Sequence, residues 1–266
     1  MVNKQGKVHG SEIIADDGLS NVNIEDMRVN MFIPTAGLGT RLLPLTADKP
    51  KALVEVSGKP MIEWILQRCQ NVYIDKTIVN AHHFADKLTD YLHINHPEIL
   101  ISDETGKLLN TGGGLKKVIK TLNDDKTVIV HNVDIDTNFD LKSFIVKLPH
   151  FPYGIAHLVV SDRKSSRYLR FDEDMKLCGW INTKTGETKT VGNSKPVFHQ
   201  YAFSGIHAVS PSISKYFDDF GDVFDLISAY LQIASVVPIY GHLYNDCYFH
   251  DLGKIEKETG NTPSLL

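Results

Sequence analysis

The chain alternates short apolar runs with longer amphipathic stretches. "RVNMFIP" ends in glycine-rich sequence and predicts a buried strand beginning at Val29. "KPMIEWILQRCQNV" places Met61, Ile65, Leu66 and Cys69 on one face of a helix, with Pro60 at its first turn. "KTIVNA", "EILIS" and "KTVIVHNVD" predict further strands, with helices at "FADKLTDYLHI" and "GGLKKVIKTL" between them. Beyond residue 150 the rhythm loosens. "YGIAHLVVS" predicts a strand, "SRYLRFDEDMKLCGW" a hairpin turning at "DEDM", and "TKTGETKTVGNSKP" a polar loop. A long strand follows at "FHQYAFSGIHAVS" and an amphipathic helix at "DVFDLISAYLQIA"; "SVVPIY" and "YFHDLG" are expected to finish the sheet. Strand–helix repetition with short connections predicts a parallel sheet covered on both faces. Ligands of such sheets bind beyond the carboxyl ends of the strands. Residues 1–28 lack clear periodicity, and "EIIADDGLSNVNIED" offers at most a short hairpin. No repeat or linker divides the remainder, so the expected organisation is an N-terminal extension, 1–28, and one domain, 29–266.

Composition narrows the function. Hydrophobic residues at 42% and charged residues at 23% of 266 describe a folded globular chain rather than a disordered one. A net charge of -4 argues against a broad nucleic-acid or membrane footprint. Cys69, Cys178 and Cys247 are odd in number and widely spaced, which suits reduced thiols and neither a disulfide framework nor a metal knuckle. No apolar run approaches a membrane span and the N-terminus lacks a secretory core, so a soluble, cytoplasmic protein is expected.

The chemistry concentrates in "TAGLGTRLLPLTADKPK". Gly37 and Gly39 follow a strand, but Leu42 and Pro44 stand where a dinucleotide fingerprint needs a small residue and an opening helix. Gly-Lys-Ser/Thr is also absent, which removes the Walker loop. What remains is a loop whose backbone N–H groups can approach a phosphate, with the Arg41 fork and the Lys51 point charge beside it. Taken alone, Gly-x-Gly-x-Arg also fits a surface turn with solvated charges. Asp134 and Asp251 each end an apolar strand; alone, either also fits a cap or turn residue.

"GLGTRLLPLTADKPKALVEVSGKPMIEWIL" resembles, position by position, the signature of the sugar-1-phosphate nucleotidyltransferases (sugar-nucleotide pyrophosphorylases). "VNAHHFADKL", "SDETGKLLNTGGGLKK", "VIVHNVDI", "FSGIHAVSP" and "FHDLG" follow in the family's order. "LLNTGGG" and "FSGIHAVSP" are most similar to the compact N-acetylmuramate-1-phosphate uridylyltransferases. The resemblance implies a Rossmann-like three-layer α/β/α sandwich with a predominantly parallel mixed sheet. It also implies a reaction joining a nucleoside triphosphate, UTP first, and a sugar 1-phosphate into a sugar nucleotide with release of pyrophosphate. A guanylyl- or thymidylyltransferase, or a catalytically weak regulatory homologue, are the alternatives, as monomer or homodimer.

The attacking group is already a phosphate oxygen, largely dianionic at neutral pH, so the chemistry asks for positioning and charge neutralisation rather than a strong base. The resemblance puts Arg41 and Lys51 on the triphosphate and Gly37, Gly39 and Thr40 beneath it. It makes Asp134 and Asp251 ligands of Mg2+, with Asp136 a weaker candidate. Base reading falls to Glu104 and to the close backbone of Gly112, Gly113 and Gly114, with Asn80 near the ribose or base. Ser204, Gly205 and Arg167 are the sugar-side candidates. Two departures stand out. Val133 precedes Asp134 where many relatives carry glycine, and only "SKP" (194–196) stands in for the family's Glu-Lys-Pro. His82, His83, His131 and His250 lie near the expected site without zinc-binding spacing, which suits packing roles.

Overall fold

A computed structural model of the chain describes residues 28–70, 72–192 and 196–253. The hairpin considered for the N-terminus lies outside them. Strand β1 (Val29–Ile33) is buried at all five positions. Met31 and Ile33 enter one apolar cluster and Phe32 the other, the two-residue alternation of a strand covered on both faces. A tight hairpin, β2 (Glu55–Val56) and β3 (Lys59–Pro60), leads into α1 (Met61–Cys69). β4 (Ile74–Ala81), α2 (Ala85–Asn95), β5 (Leu100–Asp103), α3 (Asn110–Leu122) and β6 (Val128–His131) then alternate as the sequence predicts. β4 and β6 flank β1 in parallel, and β5 extends β4 in parallel.

The second half adds β7 (Ile135–Thr137), α4 (Leu141–Lys147), β8 (Ala156–Ser161), β9 (Arg167–Phe171), β10 (Leu177–Asn182), β11 (Thr188–Thr190) and β12 (His199–Val209). α5 (Ser214–Phe217), α6 (Leu226–Ile233), β13 (Ile239–Leu243) and β14 (Phe249–Asp251) complete the described chain. β12 joins the halves: it runs antiparallel to β6, β8 and β9, while β13 lies parallel to β8. The sheet is therefore mixed, with mostly parallel strands at its centre and the order β11-β10-β9-β12-β6-β1-β4-β5 along its main path. α1, α2 and α4 contribute to the apolar cluster on one face and α3, α5 and α6 to that on the other. Three layers, helix–sheet–helix, result. Among the described residues no helix is long and apolar enough to cross a membrane.

Two expectations need correction. "YFHDLG" does not finish the main sheet: β14 pairs antiparallel with β7 in a separate two-stranded ribbon. The polar loop "TKTGETKTVGNSKP" contains a strand, β11, paired with β10. Its three residues are all exposed, because a strand at the rim needs no apolar face to be held by its ladder.

Candidate active site

The glycine loop leaves β1 at Pro34 and is gripped at once from β4. Asn80 Oδ1 accepts from the backbone N–H of Thr35 at 2.7 Å and of Ala36 at 3.1 Å. Gly39 is left-handed, with φ of 64°, ahead of a short 3-10 turn at Thr40–Leu42. Thr46 Oγ1 donates to its carbonyl at 2.9 Å, and a Cβ at Gly39 would lie 2.8 Å from Thr46 Cγ2. Gly39 therefore serves the turn itself. Gly37 differs: a Cβ there would meet nothing within 4 Å, so its backbone faces open space. Thr40 is exposed on the same loop.

Arg41 and Lys51 close on the two strand-end carboxylates. Arg41 Nη1 lies 3.0 Å from Asp251 Oδ2 and Nη2 lies 3.4 Å from Asp134 Oδ2. Lys51 Nζ reaches the same Asp134 oxygen at 3.1 Å. The β7–β14 ribbon makes this meeting happen. Asp251 pairs with Ile135, and the Leu252 N–H donates to the Asp134 carbonyl at 2.9 Å. Both carboxylates are largely buried, while Arg41 is half-exposed. Val133 packs in the core and is absent from the positive-φ residues, so valine suits the backbone at that point. Asp136 faces elsewhere: it is bound to Arg68 of α1 at 2.7 Å.

No group of three or more histidine, cysteine or acidic side chains that could hold a metal occurs among the described residues. Two hard oxygen donors already gathered against cations still suit Mg2+, which commonly takes one or two carboxylates and completes its shell with phosphate and water. His131 is buried beside this region, its Nδ1 2.9 Å from the Asn132 carbonyl. Burial pushes its pKa down to about 4, so it is a neutral packing group at physiological pH. His82 Nδ1 lies 2.7 Å from the Glu104 carbonyl oxygen, and His250 stacks on Tyr248. The three cysteines are free, and burial drives the Cys69 thiol up to about 12.

Several residues expected to touch nucleotide or sugar are turned inward. Asn80 and Glu104 are buried, and Asn80 Nδ2 donates to Glu104 Oε1 at 2.8 Å. Gly112 and Gly113 lie within the first turn of α3 against the segment that precedes α6. A Cβ would come 2.3 Å from the Phe224 ring at Gly112 and 1.9 Å from the Asp222 carbonyl oxygen at Gly113. These two glycines make room for protein. Ser204 is fully buried with its hydroxyl donating to the Val159 carbonyl at 2.7 Å, which leaves it no surface toward a sugar.

Gly205, with φ of 82°, sits in a bulge where β12 shifts register on β8 between Phe203 and His207. Its carbonyl accepts from the Asn132 N–H at 3.0 Å, drawing β12 toward the end of β6. Arg167 is exposed at the start of β9. Four residues earlier is a cation the sequence reading passed over. Arg163 is half-buried, its Nη2 donates to the Phe203 carbonyl at 3.0 Å, and its Nε is buried without a hydrogen-bond partner. Burial lowers its pKa and the charge of Asp251 works against that shift, which places Arg163 in the electrostatic field of Asp251. Only its position after the β8 run could have marked it in the sequence.

A glycine loop at the end of a central parallel strand, two cations and two carboxylates thus meet at one point, where sheets of the doubly wound α/β class place their ligands. Residues 32–169, just over half of the 266-residue chain, match the nucleotidyl transferase family, and the chain belongs to it. It is 44% identical over 108 residues to an N-acetylmuramate alpha-1-phosphate uridylyltransferase of Caulobacter vibrioides, a stretch covering 39% of this chain and 44% of that protein. A protein of the same description from Neisseria meningitidis is 31% identical over 131 residues, covering 48% of this chain and 56% of that one. The chain thus spans about half the length of these curated relatives. Among solved structures, HddC from Yersinia pseudotuberculosis superposes with a TM-score of 0.67 at 23% identity, over 85% of this chain and 94% of that one. A UDP-glucose pyrophosphorylase complexed with UDP-glucose gives a TM-score of 0.67 at 14% identity, over 86% and 94%. At such identities the likeness concerns the fold, a Rossmann-like α/β/α sandwich.

Proposed function

We propose that the chain is a Mg2+-dependent sugar-1-phosphate nucleotidyltransferase using UTP, with N-acetylmuramate 1-phosphate the first sugar to test. The convergence of Arg41, Lys51, Asp134 and Asp251 beyond the glycine loop carries this reading. A phosphate oxygen of the sugar 1-phosphate attacks the α-phosphorus of the triphosphate. The new P–O bond forms as the bond to the β-phosphate breaks, and pyrophosphate leaves with the electron pair. Two anions must approach, so the protein's task is to neutralise and align them.

Arg41 and Lys51 exchange their carboxylate partners for triphosphate oxygens, and the loop around Gly37 offers backbone N–H groups. Asp134 and Asp251 would hold Mg2+, which supplies charge neutralisation at the reacting phosphates. Arg163, held by the Phe203 carbonyl and within the field of Asp251, would meet the sugar phosphate, the role that the missing Glu-Lys-Pro lysine leaves open.

The test is pyrophosphate release with Mg2+, crossing UTP, GTP, dTTP, CTP and ATP against sugar 1-phosphates that include N-acetylmuramate 1-phosphate. Release requiring UTP and one sugar together is expected. Silence across the panel, with no triphosphate shifting the melting temperature, would overturn the assignment.

A further inference from the structure

We infer that Asn80 and Glu104 form a buried positioning pair that ties the phosphate loop to the segment opening α3, and that neither side chain touches the nucleotide. The inference rests on the nucleotidyltransferase reading and deepens it. Asn80 Oδ1 takes the N–H groups of Thr35 and Ala36, the two residues before Gly37, at 2.7 and 3.1 Å. Asn80 Nδ2 donates to Glu104 Oε1 at 2.8 Å, and Glu104 Oε2 accepts from the Leu109 N–H at 3.3 Å. The Thr35 hydroxyl donates to the Asn80 carbonyl, closing the grip on the loop. Asn80 is 4% exposed and Glu104 3%, so both oxygens of the carboxylate and both ends of the amide are engaged inside the protein.

Gly114 supports the same conclusion independently. A Cβ at that position would lie 2.9 Å from Asn80 Nδ2 and 3.0 Å from Glu104 Oε1. Of the three successive glycines, this one makes room for the pair, whereas Gly112 and Gly113 accommodate the segment before α6. The ends of β1, β4 and β5 and the start of α3 are thereby fixed by one short chain of hydrogen bonds.

The chain has a direction. The amide must present its oxygen to the loop and its nitrogen to the carboxylate. Glu104→Gln would set an amide donor against the Asn80 or Leu109 donors. Asn80→Asp would set two carboxylates against each other in a buried place. Combined, the substitutions exchange the partners: an aspartate accepts the loop N–H groups and a glutamine donates to it, while its oxygen accepts from Leu109.

The experiment compares the full chain, both single variants and the double variant by unliganded melting and by calorimetric affinity for UTP and GTP with Mg2+. Each single substitution is expected to weaken UTP binding about 10- to 100-fold without changing preference between triphosphates. The double variant should return to within about threefold of the parent. A folded double variant as weak as the singles, or a Glu104→Gln protein that prefers a different triphosphate, would overturn the inference. If a single variant does not fold, recovery of both fold and affinity in the double variant still supports it, and a folded double variant without affinity opposes it. A parent chain that binds no triphosphate overturns the functional reading itself and the inference with it.

Discussion

Lys51→Met tests whether the gathered cations stand in for a metal. The ammonium lies 3.1 Å from Asp134 Oδ2, with side chains only 15% and 6% exposed, so the pair is shielded from water. Methionine keeps the length and apolar body of lysine and removes the charge. Removing one partner of a buried pair commonly costs about 3–5 kcal/mol. Here Arg41 remains, at 3.4 Å and 53% exposed, a longer and better-screened contact. A loss of about 2 kcal/mol is therefore expected, or roughly 4–8 °C in melting temperature for a chain of this size. A divalent cation bound at Asp134 and Asp251 would restore the missing counter-charge. Added MgCl2 should accordingly raise the melting temperature of the variant more than that of the parent, whereas NaCl of matched ionic strength should not. The assay is thermal melting across both titrations. A variant that melts like the parent, or one rescued equally by NaCl, would refute the reasoning.

Three further perturbations probe other links. Gly113→Ala should destabilise by about 3 kcal/mol, since its Cβ would meet the Asp222 carbonyl at 1.9 Å, while Gly37→Ala, with nothing within 4 Å, should leave unfolding in urea unchanged. His207 is buried with both ring nitrogens unpartnered, and burial pushes its pKa down to about 3. The unfolded chain takes up a proton near pH 6.5 that the folded chain refuses, so stability falls with decreasing pH between about 6.5 and 3. At pH 5 this histidine accounts for about 2 kcal/mol of the loss, which His207→Leu should remove from the pH–stability profile. Arg163→Met should raise KM for the sugar 1-phosphate about tenfold or more and leave UTP-induced stabilisation intact; a larger effect from Arg167→Met would return the role to that exposed arginine.

The parallel core was legible because its strands are long or apolar enough to reveal themselves: β1, β4 and β6 each carry a buried, mainly apolar run. α4 went unread although it carries a signal. Asp140 caps it by accepting from the Ser143 N–H at 3.0 Å, and Leu141, Phe144 and Ile145 follow at helical spacing. β7 has three residues, too few for periodicity to speak, and without it the strand expected at "YFHDLG" had no visible partner but the main sheet. Arg41, Lys51, Asp134 and Asp251 could be named from the sequence because they fall on the family signature that the chain resembles, and the structure brings them together. Glu104, Asn80 and Ser204 show the opposite limit. Polar residues within family motifs suggest ligand contact, yet only three-dimensional packing reveals that their hydrogen bonds close within the protein.

The ribbon of β7 and β14 also sets when a nascent chain becomes competent. β14 contributes nothing to the main sheet, which pairs its last strand, β13, by Leu243. A polypeptide emerging from the ribosome can therefore assemble sheet, helices and glycine loop while Asp134 still waits for its distant partner. With β13 docked, bringing Asp251 to Asp134 asks only for the short segment between Leu243 and Phe249 to close, a small entropic cost that falls at the very end of assembly. Until then the chain resembles a finished protein but holds only one of the two carboxylates.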